Sequence, residues 1–306
     1  MSLLFSIRSL RMLSPSVAPR FLNGHLRFGS THFGFQEVDE EEKQNKVNHV
    51  FENVAEKYDL MNDAMSFGVH RLWKDCFVKQ IMPTHNLKCL DVAGGTGDIA
   101  FRIHKFSRPS TTVLGSSGES HSDGRTGPDI TLCDINEAMM EVGKARAQSL
   151  GLTNIKWVQG NAECLPFEDN VFDLYTIAFG IRNCTHIDKV LSEANRVLKP
   201  RGRFFCLEFS HVDNPIFSRL YDLYSMELIP VMGQLIAGDW NSYQYLVESI
   251  RQFPPQKEFA EMIREAGFFG VQVQNYLLGV AAVHSGFKST TSQKTKVRNE
   301  DDEDEM

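Results

Sequence analysis

The sequence predicts an α/β fold built on a doubly wound, mostly parallel sheet whose last strand runs antiparallel. From Leu87 onward, short apolar runs alternate with amphipathic segments, and only Leu277–Gly279 separates the last two apolar runs. Alternating strands and helices are typical of a parallel sheet with helices on both faces. So short a final connection leaves no room for a crossover helix, so the last two strands should pair antiparallel.

The predicted elements follow in chain order. The strands are Lys88–Val92, Ile130–Cys133, Ile155–Val158, Phe172–Phe179, Arg203–Phe209, Val271–Tyr276 and Val280–Phe287. The helices between them are Asp98–Phe106, Glu137–Leu150, Asp188–Leu198 and Gln256–Ala266. Before the first strand, the acidic residues 37–42 are predicted to open a helix that runs towards Tyr58, and a second helix spans Val69–Gln80.

One domain is expected over residues 31–288, with N-terminal helices at 31–86. Residues 107–128 are rich in Ser, Gly, Thr and Pro without periodicity, which predicts a surface insertion. Residues 210–253 are predicted to form a helical cover, in which Tyr221, Tyr224, Met226 and Leu228 could face either an apolar ligand or the core, and core packing is preferred. The acidic residues 289–306 are predicted to be a disordered tail.

The N-terminal segment 1–30 differs from the rest of the chain in composition. It contains Arg8, Arg11, Arg20 and Arg27 but no acidic residue and no lysine. An Arg- and Ser-rich, acid-free segment is typical of a mitochondrial transit peptide, and a simple unstructured tail is the alternative. Without these arginines the net charge of −7 becomes −11, which disfavours nucleic-acid binding.

Cysteine spacing and hydropathy argue against two other classes of protein. The six cysteines include no CxxC pair and no Cys/His cluster, so neither a zinc site nor a disulfide framework is expected. The longest apolar run, Leu228–Ala237, is interrupted by Pro230, Gly233 and Gln234. It is far shorter than the ~20 residues that a membrane-spanning helix needs.

Lys88–Gly97 is predicted to be a strand followed by a glycine-rich turn and the start of a helix. Glycines let a ligand approach the backbone closely, and the helix N-terminus offers unpaired N–H groups. Gly95, Gly97 and Ala100 also fit the G-x-G-x-x-A pattern of dinucleotide sites, so a nicotinamide-dependent dehydrogenase has to be considered.

Three features favour S-adenosylmethionine over a nicotinamide cofactor. Asp91 ends the first strand, where its charge would disfavour a pyrophosphate but could organise a methionine group. Asp134 ends the second strand, where it could contact the ribose hydroxyls of either cofactor, so it supports a nucleoside ligand without choosing one, although it could also cap the next helix. Gly160-Asn161-Ala162 follows the third strand and precedes Leu165-Pro-Phe167, an arrangement similar to the adenine-binding turn of methyltransferases.

Two longer segments, Tyr58–Trp73 and Arg196–Ser210, resemble signatures of the ubiquinone/menaquinone biosynthesis C-methyltransferases. Phe179–Asn183, Ala237–Tyr245 and His284–Phe287 resemble the same family, so the similarity covers about Thr31 to Lys288. The sequence departs from the family pattern at Arg201, where glycine is usual, and at Asn161, where aspartate is common.

The resemblance implies a class I S-adenosylmethionine-dependent methyltransferase fold with helical additions. The residues expected to bind the cofactor, from the loop and from the family together, are Asp91, Gly95, Thr96, Gly97, Asp134, Asn161, Ala162 and Ala178. No metal is expected. The implied reaction is methyl transfer from S-adenosylmethionine to a ring carbon of 2-methoxy-6-polyprenyl-1,4-benzoquinol in ubiquinone biosynthesis.

Candidate catalytic residues lie in two places. Arg182 and Asn183 follow the fourth strand, at the sheet edge where open α/β folds bind ligands. Arginine stays protonated, so Arg182 is expected to stabilise a phenolate. Tyr58 and His70, with Asp59 and Asn62, form a second polar set that could close over the cofactor, with His70 titrating near neutrality. Alternatively, His70 and Trp73 only pack the N-terminal helix on the core.

A prenylated substrate and the absence of a predicted membrane span imply peripheral attachment to the matrix side of the inner mitochondrial membrane. The resemblance also implies other ubiquinone-biosynthesis enzymes as partners in a multi-subunit complex. Two alternatives remain open. The protein could methylate another lipid or small-molecule acceptor, or it could be a scaffold subunit that retains cofactor binding without catalysis.

Overall fold

The computed structural model describes residues 29–54, 58–107, 127–236 and 238–290. Three predictions therefore lie wholly or largely outside the described residues: the transit peptide at 1–30, the surface insertion at 107–128 and the acidic tail at 289–306.

The centre of the protein is a seven-stranded sheet, preceded in the chain by a small hairpin. The hairpin strands are β1 (Ser30–Phe33) and β2 (Gln36–Asp39). The sheet contains β3 (Lys88–Val92), β4 (Asp129–Asp134), β5 (Ile155–Gln159), β6 (Phe172–Ala178), β7 (Leu198–Phe209), β8 (Phe268–Tyr276) and β9 (Ala281–Lys288). Their spatial order is β5-β4-β3-β6-β7-β9-β8, with β9 antiparallel to both neighbours and the remaining pairs parallel. The predicted fold class is confirmed.

Ten α-helices of the described residues accompany this sheet. They are α1 (Glu40–Val54), α2 (Tyr58–Ser66), α3 (Val69–Ile81), α4 (Asp98–Ser107), α5 (Glu137–Ser149), α6 (Ile187–Val197), α7 (Pro215–Leu223), α8 (Ile229–Ile236), α9 (Trp240–Gln252) and α10 (Gln256–Glu265). A π-helical stretch, Tyr224–Leu228, joins α7 to α8. Short 3₁₀ segments lie at Ile181–Asn183 and Leu277–Gly279. No helix of the described residues is long and apolar enough to cross a membrane.

Both faces of the central strands β3, β4 and β6 are buried, which explains why these strands are mostly apolar, whereas the edge strand β8 is largely exposed and alternates apolar with polar residues. Successive residues of a strand point to opposite faces. Accordingly Leu174 packs in one apolar cluster with Phe77, while Tyr175 packs in the other with Phe204 and Phe259. These five side chains are completely buried, so the sheet forms a rigid support for the loops at its carboxyl edge.

The first helix begins later than the sequence predicts. Residues 37–39 belong to β2, which pairs antiparallel with β1, and α1 starts at Glu40. Contacts from distant residues stabilise the hairpin: the Phe35 N–H donates to Glu248 Oε2 at 3.0 Å, and the Phe33 ring stacks on Tyr245 at 4.2 Å. The local sequence of the acidic run Glu37–Glu42 favours a helix. The contacts with α9 instead stabilise the hairpin, so residues 37–39 form a strand.

Core packing, the preferred prediction for four residues of the helical cover, is wrong for two of them. Met226 is 40% exposed and Leu228 is 50% exposed. Tyr224 does pack inward, since its hydroxyl donates to the Met65 carbonyl at 2.6 Å. The apolar residues of this segment are distributed around all of its faces. Only one of these faces can pack against the domain, so the residues on the other faces stay exposed.

Arg201 adopts a left-handed conformation, with φ of 65°, at an exposed position of β7. This conformation costs a non-glycine residue roughly 1–2 kcal/mol, and glycine is the usual residue here in the resembled family. We expect Arg201→Gly to raise the free energy of unfolding by about 0.5–1 kcal/mol, since the greater freedom of glycine in the unfolded chain offsets part of the gain.

Urea denaturation of purified protein measures this difference directly. Arg201→Ala is the matched control, because it removes the same side chain but keeps the left-handed strain, so it should give no comparable gain. A lower free energy of unfolding for Arg201→Gly than for Arg201→Ala would contradict the prediction.

Candidate active site

A cavity of about 1140 Å³, its open mouth included, lies at the carboxyl edge of the sheet. The loops that follow β3, β4, β5 and β6 form its inner side, and four residues of α1 form its outer side. These α1 residues are Gln44, Val47, Asn48 and Phe51. The carboxyl ends of neighbouring parallel strands meet at one edge, which is the usual ligand site of open α/β sheets.

The glycine-rich turn after β3 depends on the absence of side chains. Gly97 has φ of +83°, and a Cβ atom there would lie 2.7 Å from Cζ of Phe101. Gly95 has φ of +51° and lines the cavity. Gly97 does not line it, so its structural contribution is the close packing of the turn on α4. The glycines therefore bring backbone to the cavity surface without strain.

Asp134 connects this turn to the end of β4. Its Oδ2 accepts the Gly95 N–H and its Oδ1 accepts the Asn136 N–H, both at 2.8 Å. Burial raises the pKa of the Asp134 carboxyl, and the N–H groups that it accepts oppose this shift. The cap of α5 is Asn136, whose Oδ1 accepts the Met139 N–H at 2.9 Å. Asp134 is therefore not the helix cap, and it lines the cavity.

Asp91 is a buried carboxylate with an unused acceptor. Its Oδ1 accepts a hydrogen bond from the Thr176 hydroxyl at 2.8 Å. Its Oδ2 is buried and has no hydrogen-bond partner among the described residues. Burial raises the pKa of Asp91 to about 7; the Thr176 hydrogen bond opposes this rise, while the charges of Asp134 and Asp98 add to it. A carboxylate oxygen that lies beside a cavity without a hydrogen-bond partner can accept a hydrogen bond from a cationic group of a ligand.

The remaining predicted cofactor residues complete the lining. Asn161 follows β5, and its Oδ1 accepts the Glu163 N–H at 2.9 Å. Thr96 accepts a hydrogen bond from Arg146 at 2.9 Å, and Ala162 and Ala178 contribute small apolar surfaces. All the predicted cofactor residues except Gly97 thus line one cavity.

A second cavity of about 640 Å³, its open mouth included, adjoins the first, and both are lined by Phe51, Lys74 and Phe179. Its other lining residues come from α1, α2, α3, the 3₁₀ segment after β6, the end of β7 and α9. They are Val50, Met61, Asn62, Met65, His70, Arg182, Phe209, Ser242, Tyr243, Tyr245 and Leu246. Most of these side chains are apolar or aromatic, which suits a hydrophobic ring.

Arg182 is one of two buried cations that line this second cavity, the other being Lys74. Its side chain is 5% exposed, and its Nη1 donates to Glu208 Oε1 at 2.8 Å and to the Phe179 carbonyl. Its guanidinium carbon lies 5.3 Å from the centre of the Phe209 ring. Its Nε is buried and has no partner among the described residues. Arg182 therefore keeps an unused donor beside the cavity.

Asn183 links the two cavities. It lines the first cavity, and its Oδ1 accepts a hydrogen bond from the Tyr245 hydroxyl at 3.0 Å. Tyr245 lines the second cavity, and burial raises the pKa of its hydroxyl above the usual value. The stack of Phe33 on Tyr245 holds this hydroxyl in place from the outside.

His70 lines the second cavity, and its Nε2 lies 2.9 Å from Asp63 Oδ1. Burial and the nearby Lys74 charge lower the pKa of His70 to about 4. The expectation that His70 titrates near neutrality is therefore wrong, because the surroundings disfavour its charged form. Trp73 packs in the apolar core, as the alternative interpretation has it.

The other members of the N-terminal polar set have different positions. Asn62 lines the second cavity rather than the cavity that contains the glycine-rich turn. Tyr58 begins α2. The side chains of Tyr58 and Asp59 lie outside the described part of the structure.

Sequence reasoning missed Lys74, Glu208, Phe51 and Tyr245. A charged residue within the apolar run Phe204–Phe209 was a usable signal for Glu208, because an unpaired buried carboxylate is costly. Lys74 donates to Asp98 Oδ2 at 2.7 Å, a contact between different helices that no local pattern reveals. In the described residues there is no cluster of three or more potential metal ligands.

The sheet order, the single antiparallel strand and the acidic residues at the ends of β3 and β4 define a class I S-adenosylmethionine-dependent methyltransferase fold. Residues 39–288 match the sequence profile of the ubiE/COQ5 methyltransferase family. The chain belongs to this family, and the family resemblance predicted from its motifs is confirmed.

Curated relatives are similar over most of the chain. A protein of Danio rerio is 55% identical over 276 residues, which is 85% of this chain and 84% of that protein. A protein of Homo sapiens is 52% identical over 289 residues, which is 89% of this chain and 88% of that protein. Both are named mitochondrial 2-methoxy-6-polyprenyl-1,4-benzoquinol methylase.

Solved structures share the fold at low sequence identity. A possible histamine N-methyltransferase from Thermotoga maritima has a TM-score of 0.54 and 19% identity, and covers 79% of this chain and 99% of its own. A putative S-adenosylmethionine-dependent methyltransferase from Methanococcus maripaludis has a TM-score of 0.52 and 15% identity, with 79% and 95% covered. Both support the fold alone.

Proposed function

We propose that this protein transfers a methyl group from S-adenosylmethionine to a ring carbon of 2-methoxy-6-polyprenyl-1,4-benzoquinol in ubiquinone biosynthesis. The observation that supports this most is the pair of adjoining cavities, one lined by Asp91 and Asp134 and the other by apolar side chains around Arg182. The names of the similar Danio rerio and Homo sapiens proteins point to the same acceptor.

The first cavity fits the cofactor. S-Adenosylmethionine, when bound, supplies a methyl group on a positively charged sulfonium. The free Oδ2 of Asp91 would accept a hydrogen bond from the amino group of the methionine portion. Asp134 would accept from the ribose hydroxyls, since each carboxylate oxygen has a second lone pair beyond the backbone N–H groups. Asn161 and Ala162 would hold the adenine, and Thr96 and Ala178 would border it.

The second cavity would bind the quinol, which is the methyl acceptor, and promote the ionisation of its ring hydroxyl. Ionisation of a ring hydroxyl makes the quinol carbon more nucleophilic, so the protein needs a donor that stabilises the phenolate. Arg182 stays protonated and has an unused Nε–H, which suits this role. Asn183 and the neutral His70 would orient the ring, and Tyr58 completes the proposed set. Holding the ring carbon at ~3–3.5 Å from the methyl carbon would supply much of the rate.

A transfer assay tests the proposal. Purified protein is incubated with methyl-labelled S-adenosylmethionine and a short-chain 2-methoxy-6-prenyl-1,4-benzoquinol under reducing conditions, and the labelled product is identified by mass spectrometry. Label on the ring carbon is expected. Label only on a demethylmenaquinol or a sterol would indicate another acceptor. Cofactor binding without any transfer would favour a scaffold role.

The proposal extends to the location and partners of the protein. We infer import into mitochondria through the Arg-rich residues 1–30 and peripheral attachment to the matrix side of the inner membrane. The prenyl tail of the substrate and the word mitochondrial in the names of the relatives support this location. Membership in a complex with other ubiquinone-biosynthesis enzymes rests on the family resemblance. Alkaline extraction of isolated mitochondria should release the protein from the membrane.

Asp91 should make cofactor affinity dependent on pH. Burial raises its pKa to about 7, and a cationic amino group binds the ionised form better. The affinity for S-adenosylmethionine should therefore rise as the pH increases from about 5.5 to about 7.5, by up to roughly tenfold per pH unit below the pKa. Calorimetric titration at several pH values measures this. Asp91→Asn should bind more weakly and without this slope, and an equal slope in both proteins would assign the effect to another group.

A further inference from the structure

Glu208 is a completely buried carboxylate that the proposed reaction has not yet used. It lies at the end of β7, is 1% exposed and lines neither cavity. Its Oε1 accepts hydrogen bonds from Arg182 Nη1 at 2.8 Å and from the Phe209 N–H at 2.9 Å. Its Oε2 accepts the Arg182 N–H at 3.4 Å. Both the backbone and the side chain of Arg182 are therefore bound to one carboxylate.

These contacts leave the Arg182 guanidinium little freedom. Glu208 and the Phe179 carbonyl bind the same Nη1 atom, and the Phe209 ring packs near the guanidinium. The donors that remain are the N–H groups of Nη2 and that of Nε, which is buried without a partner among the described residues. A buried carboxylate and guanidinium also cancel most of each other's charge, and a buried charge without a partner is strongly disfavoured.

We propose that Glu208 is the positioning residue of the methyl-transfer site. It fixes the Arg182 guanidinium at the border of the second cavity and balances its charge. Arg182 then acts on the acceptor hydroxyl as a hydrogen-bond donor rather than as an uncompensated cation. This inference rests on the proposed function, because it requires a phenolate to form in the second cavity.

Charge balance matters here because the cofactor brings a second cation. The two cavities share Phe51, Lys74 and Phe179, so a bare Arg182 cation would lie near the site of the sulfonium. It would also overstabilise the phenolate, which would ionise more readily but react more slowly. Removing the Glu208 charge should therefore change how the rate depends on pH, which a purely structural residue would not do.

The other ionisable groups around the Arg182–Glu208 pair do not obscure the change in the pH dependence of the rate. They are His70 and Lys74 on α3, Tyr221 on α7, Tyr245 on α9, and Cys184 and Cys206. Burial lowers the pKa of His70 to about 4 and raises the pKa of Tyr221 and of Cys184 to about 12. Lys74 is bound to Asp98. The pKa of Tyr245 and that of Cys206 are raised as well.

The first experiment compares kcat against pH for the full-length protein and Glu208→Gln, which keeps the shape but loses the charge. At S-adenosylmethionine concentrations that saturate the protein at every pH, the ionisation of Asp91 does not limit cofactor binding, and the acidic limb of the profile reports ionisation of the bound hydroxyl. In Glu208→Gln we expect the limb to move to lower pH by about one unit and the plateau to fall about tenfold, in keeping with the usual size of such effects. An unmoved limb with an unchanged plateau would overturn the proposal.

A double-mutant cycle separates positioning from folding. If Glu208 acts through Arg182, Glu208→Gln should have little further effect on kcat in an Arg182→Met background. Equal effects in both backgrounds would overturn the proposal. Asp173→Asn is the matched control, because Asp173 binds Lys199 and the Lys88 N–H at the opposite edge of the sheet. It should leave the pH profile unmoved.

Glu208→Asp covers the case in which Glu208→Gln folds poorly. It keeps the charge but shortens the side chain, so kcat should fall while the acidic limb stays in place. Wild-type kcat in this variant would also overturn the proposal. Failure of the proposed function looks different: the wild-type protein itself would then transfer no methyl group to the benzoquinol.

Discussion

Arg182→Met should lower kcat for methyl transfer by about 10²- to 10³-fold, the usual cost of removing one donor that stabilises a developing oxyanion. Methionine fills a similar volume but offers no N–H, so the phenolate would lose its donor in an apolar cavity. The measurement is single-turnover transfer of labelled methyl to the benzoquinol. Affinity for S-adenosylmethionine should change little, because Arg182 lines only the second cavity.

The folded state of Arg182→Met needs a separate check, since the substitution leaves Glu208 buried without its cation. Burial already raises the pKa of Glu208, so this carboxyl can take up a proton and limit the loss of stability. Thermal unfolding with and without S-adenosylmethionine would show whether the variant is folded. Arg182→Lys keeps the charge but not the planar fork, and it should recover only part of the rate. A folded Arg182→Met with wild-type kcat would assign the phenolate to another group.

Asp134→Ala should weaken S-adenosylmethionine binding by about 10- to 150-fold, corresponding to the roughly 1.5–3 kcal/mol of hydrogen bonds to a charged acceptor. Two effects act together. The proposed contacts to the ribose hydroxyls are lost, and the Gly95 and Asn136 N–H groups lose their acceptor, so the glycine-rich turn is less well held. Calorimetric titration of the purified variant measures the change.

Asp134→Asn provides the comparison for this prediction. It retains one acceptor oxygen of the same shape, so it should lose less affinity than Asp134→Ala. If a folded Asp134→Ala bound the cofactor as tightly as the wild-type protein, Asp134 would have no role in binding. Because burial raises the pKa of Asp134, the comparison should be made at one fixed pH.

The sequence alone determined the architecture because the relevant signals are local. The apolar run Lys88–Val92 has the same bounds in the structure, and the short link Leu277–Gly279 correctly implied the antiparallel strand. The cofactor candidates came from one rule, that carboxyl ends of parallel strands converge. Asp91, Asp134 and Asn161 do line one cavity, while their contacts with the cofactor stay predictions.

Only the tertiary structure decided which distant residues meet and how their surroundings alter their chemistry. Arg182 and Glu208 lie on different segments, and the proximity of their side chains follows from the pairing of β6 with β7. The sequence pattern suggested a titrating His70, but burial in the folded protein lowers its pKa to about 4. Periodicity and glycine placement are properties of neighbouring residues, whereas burial and ion pairing arise only when the chain is packed.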